Sequence, residues 1–222
     1  MPGSPQADAE PERFEPGDLP ELPDELALSQ LPSGRHGLPR SFVARNQRLR
    51  ILSATLRVLP RHGYAETTIG HITREAGVSR AAFYEQFENK EECFLVTYDM
   101  AAEWLCDRVE GVVAVEPDWP TSVRAGVAEA MRLLAANPDI AHLIAVDALQ
   151  AGVPARHRRQ VCIEHLAKVL RARRPSDAEL PEDLEELLIG GTLSLVGRYV
   201  DTGRIGQLPD ATADLVALYF LK

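Results

Sequence analysis

Ser79, Arg80, Ala81 and Ala82 stand together at the head of a short helical stretch. The chemistry open to such a set is the reading of DNA bases. An arginine fork matches the two acceptors of a guanine edge, and alanine offers a methyl contact to thymine while letting the backbone come close. Tyr84 and Lys90 follow at a spacing suited to phosphate oxygens, which fix register without reading sequence. Thr68, at the head of the preceding helical stretch, joins them as a candidate DNA-binding residue. Other chemistries find no support. There is no phosphate-cradling glycine loop or nucleophile elbow, and Gly190-Gly191 lies in an apolar run, so neither catalytic residues nor cofactors are expected. His142, His157 and His165, with Asp147 and Glu164, lack the spacing that puts two metal ligands on one helix face, and no metal is expected.

The elements that must position this set are two helical patterns meeting at a glycine. The first opens at Thr68, whose hydroxyl can accept orphan backbone N–H groups, and places Ile69, Ile72 and Ala76 on one face. Gly77 supplies the left-handed backbone that ends it, Val78 plugs the angle, and Ser79 caps the second helix, whose buried stripe is Phe83 and Phe87. Arg45 to His62 reads as a preceding helix, with Leu49, Leu52, Leu56 and Leu59 on one face and Gly63 closing it. Pro60 lacks the N–H that would bond to the carbonyl of Leu56, and should bend or stop this helix early. Tyr64 is left with two readings, a place in the small core or a phosphate contact.

The residues Gly63, Tyr64, Thr67, Thr68, Ile69, Ile72, Ala76, Gly77, Val78, Ser79, Phe83, Tyr84, Phe87, Lys90 and Glu91 carry a resemblance. At these positions the chain resembles the tetracycline-repressor (TetR) family of bacterial transcription regulators. The resemblance is close over roughly residues 45–95. It implies an all-α fold: an N-terminal three-helix helix-turn-helix domain followed by a larger helical ligand-binding and dimerisation domain. It also implies a homodimer on palindromic double-stranded operator DNA, a small-molecule effector of unknown identity, and most often a repressor. Glu85 and Gln86 depart from the family pattern by putting a carboxylate near the phosphates, and Cys93 replaces a usual leucine as a small apolar core residue.

Charge supports this division of labour. The chain of 222 residues carries a net charge of −9. Residues 1–39 hold eight acidic and two basic residues, whereas residues 40–95 hold nine basic and six acidic. Positive charge is thus concentrated where DNA should be, but modestly, so tight binding would need two copies acting together. Eight prolines and little periodicity make residues 1–39 an expected disordered tail, or an arm that touches DNA near Arg35, His36, Arg40 and Arg45. The expected division is therefore 1–39 tail, 40–92 DNA-binding domain and 93–222 regulatory and dimerisation domain. Cys93, Cys106 and Cys162 are too few and too scattered for a disulfide framework or a zinc knuckle, which suits a reducing cytosol. No run approaches the ~18 apolar residues of a membrane span. The expectation is a cytoplasmic protein with no membrane partner.

Beyond the motif a helix from Lys90 to about Glu110 leaves one domain and enters the next. Thr121 to Ala136, Asp139 to Ala151, Pro154 to Arg173, Leu184 to Thr202 and Ala211 to Leu221 follow as helical stretches. Met100, Trp104, Trp119, Met131 and His142 are the candidate lining of a ligand pocket, against a plain core role. The resemblance implies that the final two helices pair with their copies as a four-helix bundle, which makes Leu187, Gly190, Gly191, Ser194, Gly197, Leu215 and Leu218 the candidate dimer interface; glycines inside an apolar helix suit close packing. Arg156, His157, Arg158 and Arg159 read as a solvated face. The reading of a different class is a helical ligand-binding protein whose helix-turn-helix is only structural.

Overall fold

The computed structural model describes residues 40–176 and 179–220, with side chains from residue 44 onward except those of residues 214 and 218–220. The expected tail and the arm around Arg35 and His36 lie outside the described residues, as does the side chain of Leu218. Every regular element among the described residues is helical. Helices α1 (Arg40–Glu66), α2 (Ile69–Ala76), α3 (Arg80–Tyr84) and α4 (Lys90–Val115) are followed by α5 (Trp119–Ala136) and α6 (Pro138–His142). Next come a π-helical turn (Leu143–Asp147), α7 (Ala148–Gln150), α8 (Val153–Arg171), α9 (Leu184–Asp201), a 3-10 segment (Ile205–Ala211) and α10 (Thr212–Phe220). None of the described helices is long and apolar enough to cross a membrane.

The starts of these helices follow from local side-chain chemistry. Thr68 accepts the N–H of His71 at 3.2 Å, and Ser79 accepts that of Ala82 at 3.0 Å. Asn89 accepts the N–H of Glu92 at 2.8 Å, and Asp118 forms a reciprocal capping box with Thr121. Each cap satisfies donors that a helix start cannot bond internally. Between α2 and α3 the chain turns at Gly77, with φ 62°, and its N–H bonds back to the carbonyls of Arg74 and Thr73. Helix α1 runs through Pro60 and kinks at Gly63, where φ is 70° and ψ 163°. The sequence expectation placed the effect of Pro60 too early. A proline one turn from a helix end removes a single bond, and the break falls at the glycine, which tolerates positive φ.

Helix α1 is buried without interruption from Ile51 to Leu56. It is therefore more than one wall of a three-helix domain: it packs against α2 and α4 and also against α6 and the π-helical turn. Helix α4 packs on α1, α5 and α8. Phe94, Tyr98, Leu105 and Val109, all at most 5% exposed, run its length. Gly126 of α5 lets those helices approach, since a Cβ there would sit 3.0 Å from the Val113 side chain.

Two glycine substitutions separate backbone conformation from packing. Gly77→Ala forces a side chain into left-handed backbone and puts its Cβ 2.8 Å from Arg50 Nη2; a loss of about 1–2 kcal/mol is expected. Gly111→Ala sits inside α4 with nothing within 4 Å; a gain of about 0.5–1 kcal/mol is expected. Urea unfolding of the two variants, followed by circular dichroism, measures both, and a common sign would remove the argument.

Candidate nucleic-acid interface and effector cavity

The structure turns Thr68, Ser79, Arg80, Ala81 and Tyr84 outward together, with Tyr84 57% exposed. Ala82 does not join them. It is 8% exposed and faces the core beside Phe83, because the cap at Ser79 starts α3 in a phase that turns the third residue inward. Helix α3 ends at Tyr84, so Phe87 fills the core at 2% exposure from beyond the helix. The guanidinium of Arg80 lies over Gly70, where a Cβ would be 3.3 Å from Nη2.

Lys90 is placed differently from its expected phosphate role. Its Nζ donates to the carbonyl of Tyr64 at 2.8 Å and lies 4.3 Å from the Tyr64 ring centre. Burial lowers its pKa, partly offset by Glu66. Tyr64 packs edge-on to Phe94 at 4.9 Å, the core alternative of its two readings. The ammonium thus ties the α1–α2 corner to the start of α4, and any phosphate would share it with that carbonyl.

Four arginines of α1 brace the motif. Arg50 donates to the carbonyls of Ala76 and Gly77 at 2.5 and 3.0 Å, holding the turn between α2 and α3. Arg48 donates to the carbonyl of Gln86 at 2.9 Å and lies over the Phe87 ring, closing the end of α3. Arg57 and Arg61 bind Glu75 of α2 at 2.8 and 3.2 Å. The hydrogen bond from Arg57 is the main cause of a Glu75 pKa below the usual carboxylate range. The only signal for these roles is register: residues 50, 57 and 61 fall on one side of α1.

An apolar cavity of about 50 Å³ lies between α4, α5, α8 and α9. Leu105 and Val109, Val127 and Leu134, Leu166 and Leu193 are among its walls. Its one hydroxyl, that of Thr192, donates to the carbonyl of Leu188 within its own helix. None of the five expected pocket residues lines it. Met100, Trp104 and Met131 are core residues at 5%, 8% and 0% exposure. Trp119, at the first turn of α5, donates from Nε1 to Glu185 at 3.1 Å. Glu185 is itself buried and bound by Arg174 at 2.5 and 2.6 Å. His142 binds Asp147 across the π-helical turn at 2.7 Å, and that hydrogen bond raises the imidazole pKa against the effect of burial. Aromatic and sulfur side chains drew the sequence reading, whereas the lining consists of branched aliphatic residues that periodicity alone assigns to a core.

The expected dimer residues also separate. Leu187, Gly191 and Ser194 are exposed on α9, spaced four and three apart with Arg198 a further turn on, and so form one outward stripe. Gly190 is half-buried. Gly197 faces inward, with a Cβ there 3.6 Å from the carbonyl of Ala145 in the same chain, and Leu215 is buried at 8%. Gly197 thus packs toward the π-helical turn, at a distance where a Cβ would make ordinary contact.

Residues 51–97 match the family profile of the bacterial regulatory proteins of the tetR family. Solved structures agree. The fatty acid degradation regulator FadR from Bacillus halodurans is similar, with a TM-score of 0.69 and 18% identity, over 78% of this chain and 98% of that one. FadR from Bacillus subtilis in complex with stearoyl-CoA gives a TM-score of 0.67 and 17% identity, over 77% and 96%. A tetR-family transcription regulator from Shewanella sp. PV-4 gives 0.63 and 21%, over 78% and 96%. The fold is that of a helix-turn-helix transcription regulator. Residues 51–97 carry the DNA-binding domain of the tetR family, and a larger helical domain follows, with the fold seen in these solved structures.

Two measurements follow from this geometry. His142→Ala leaves the fully buried Asp147 without its partner and should cost about 3 kcal/mol. Because the folded His142 pKa is raised, its contribution is fully present below the ordinary imidazole range and lost as pH rises through the folded value. Asp139 and Asp201 act in the same direction. Urea midpoints taken from pH 5.5 to 8.5 should show this loss in the wild type and a flatter profile in the variant. Lys90→Ala should lower stability by about 1 kcal/mol, allowing for partial exposure, while Arg80→Ala should stay within about 0.5 kcal/mol. Equal stabilities for these two variants would remove the bracing role of Lys90.

Proposed function

We propose that the chain is a ligand-responsive repressor that binds a palindromic operator as a homodimer. The observation that carries this reading is the outward set Thr68, Ser79, Arg80, Ala81 and Tyr84 on a braced helix-turn-helix. Arg80 is the base reader, and Tyr84 and the helix caps meet phosphates. Since the α1 arginines are occupied within the fold, one copy has little charge to spare, and a second copy is what raises affinity. The outward stripe of α9 is where that copy would pack, with recognition helices about 34 Å apart to meet successive major grooves.

The effector we infer is apolar and chain-like. The cavity wall is aliphatic, and the Bacillus subtilis protein of the same fold is seen with stearoyl-CoA. At about 50 Å³ the cavity is far smaller than the ~300 Å³ of the smallest ordinary ligand pockets, so an occupant must part the helices. Parting α4 from α8 and α9 would tilt the helix whose first turns pack on the DNA domain.

Fragments bound from genomic DNA by the full chain test the reading. A short inverted repeat is expected, with Arg80→Ala costing about 1–3 kcal/mol on it and relaxing base preference. Smooth retardation of all sequences would instead leave the motif as a scaffold. Sedimentation of Ser194→Arg should show a weakened dimer. Stearate and stearoyl-CoA, titrated by tryptophan fluorescence with and without the selected DNA, should each lose affinity on DNA by the factor by which they weaken operator binding, roughly 5- to 150-fold.

A further inference from the structure

Helices α4 and α8 meet along a polar seam of three cross-contacts. Arg158 binds Asp99 at 2.8 Å at one end, and His165 binds Glu110 at the other. Between them the Sγ atoms of Cys106 and Cys162 lie 3.4 Å apart, although the residues are 56 positions apart in sequence. A disulfide needs about 2.05 Å, so the sulfurs must approach by a further ~1.4 Å. We propose that Cys106 and Cys162 are a dithiol that a hydroperoxide converts into a reversible intrachain disulfide, pinning α4 to α8 beside the cavity.

The two sulfurs have different surroundings, and this assigns their roles. Cys162 is half-buried, less enclosed than Cys106, and lies one turn beyond Arg159. Either thiol can donate across the 3.4 Å contact; with Cys106 as donor, that contact and the Arg159 charge lower the Cys162 pKa against the effect of burial. Arg159 Nε is buried without a hydrogen-bond partner. Cys106 is buried, with Asp107 and Glu110 close by, and both its hydrogen bond to Cys162 and its burial hold it protonated. Cys93 is the internal contrast. It is fully buried, and burial pushes its thiol up to about 11, so it should stay inert.

The chemistry balances with a hydroperoxide ROOH as the only added reagent. The Cys162 thiolate attacks the terminal oxygen, the O–O bond breaks, and the departing alkoxide takes a proton to become ROH. This leaves Cys162 as a sulfenic acid. The Cys106 sulfur then attacks the Cys162 sulfur, forming the S–S bond as hydroxide leaves. That hydroxide combines with the Cys106 proton as water. Two thiols are oxidised and one peroxide is reduced.

The consequence follows from where the bond falls. Cys106 adjoins Leu105 of the cavity wall, and Cys162 lies one turn before Leu166 on the facing wall. A bond there would resist the parting of α4 and α8 and shift the balance of the two helices whatever the effector is.

Reduced full-length protein treated with hydrogen peroxide tests this without operator or effector. Free thiols should fall from three to one per chain, a mass shift should locate an intrachain Cys106–Cys162 link, and dithiothreitol should restore all three. Cys93→Ser should still form the link. Cys106→Ser should stop at a Cys162 sulfenic acid that dimedone traps. Circular dichroism confirms folding of each variant, and the wild-type thiol count stands even if one fails. Interchain disulfides, oxidation of Cys93, or Cys162 passing to sulfinic acid while Cys106 stays free would each overturn the proposal.

Discussion

The burial of α4 along its whole length is the constraint on which the other elements depend. At its start Phe94 meets Tyr64, and Cys93 sits 3.3 Å from the Thr55 hydroxyl of α1. Farther along, Leu105 and Val109 form cavity wall. A helix packed at both ends cannot move at one without moving at the other, because close-packed interiors transmit displacement rather than absorb it. The cap at Asn89 and the Lys90 contact to the Tyr64 carbonyl fasten its first turn to the reading motif. The π-helical turn adds a second connection. It packs against α1 as well as α9, so a shift in the larger domain can reach the motif through α1 also.

Positive charge in this chain is spent mainly on architecture. Arg50 holds the turn of the motif, Arg48 the end of α3, and Arg57 and Arg61 the acid of α2. Each contact fixes the angle at which α3 is presented, and a rigid reader loses less entropy on docking than a loose one. The cost is electrostatic, since a guanidinium bound to a carboxylate draws phosphate weakly. In the proposed scheme, specificity at Arg80 and rigidity behind it would replace the broad positive field of more basic DNA binders.

The motif was legible in the sequence because its chemistry is local. Thr68, Gly77 and Ser79 act within four residues of themselves, and Phe83 needed only the helical period, although Phe87 reaches the core from beyond the helix. The inward turn of Ala82 was missed because α3 is too short for a stripe to define its phase. The helical stretches from Thr121 to Arg173 came within a few residues of their observed ends for the same local reasons, Asp118, Pro138 and Gly152 marking the starts. What failed depended on distant partners. Trp119 was drawn toward a pocket, but its indole is claimed by Glu185, 66 residues away, and nothing nearby marks that acid as buried. Gly197 was given to an interface between copies, whereas it faces Ala145 of the same chain. The cysteines looked scattered because their separation along the chain hides their meeting across α4 and α8.

The small size of the cavity bears on how an effector could act. An aliphatic void of about 50 Å³ gives an occupant dispersion and hydrophobic contact but no fixed charge to anchor it. Binding energy would then grow with the length of apolar chain inserted, at roughly 0.8 kcal/mol per buried CH₂. Each added group must also push the walls farther apart. A short ligand would gain little and displace little, whereas a long one would gain enough to offset the separation of α4 from α8. Discrimination by length would thus come from the stiffness of the walls rather than from a polar reader. In the proposed scheme the motion that admits the ligand is the same motion that tilts the reading helices, so affinity and response cannot be tuned apart.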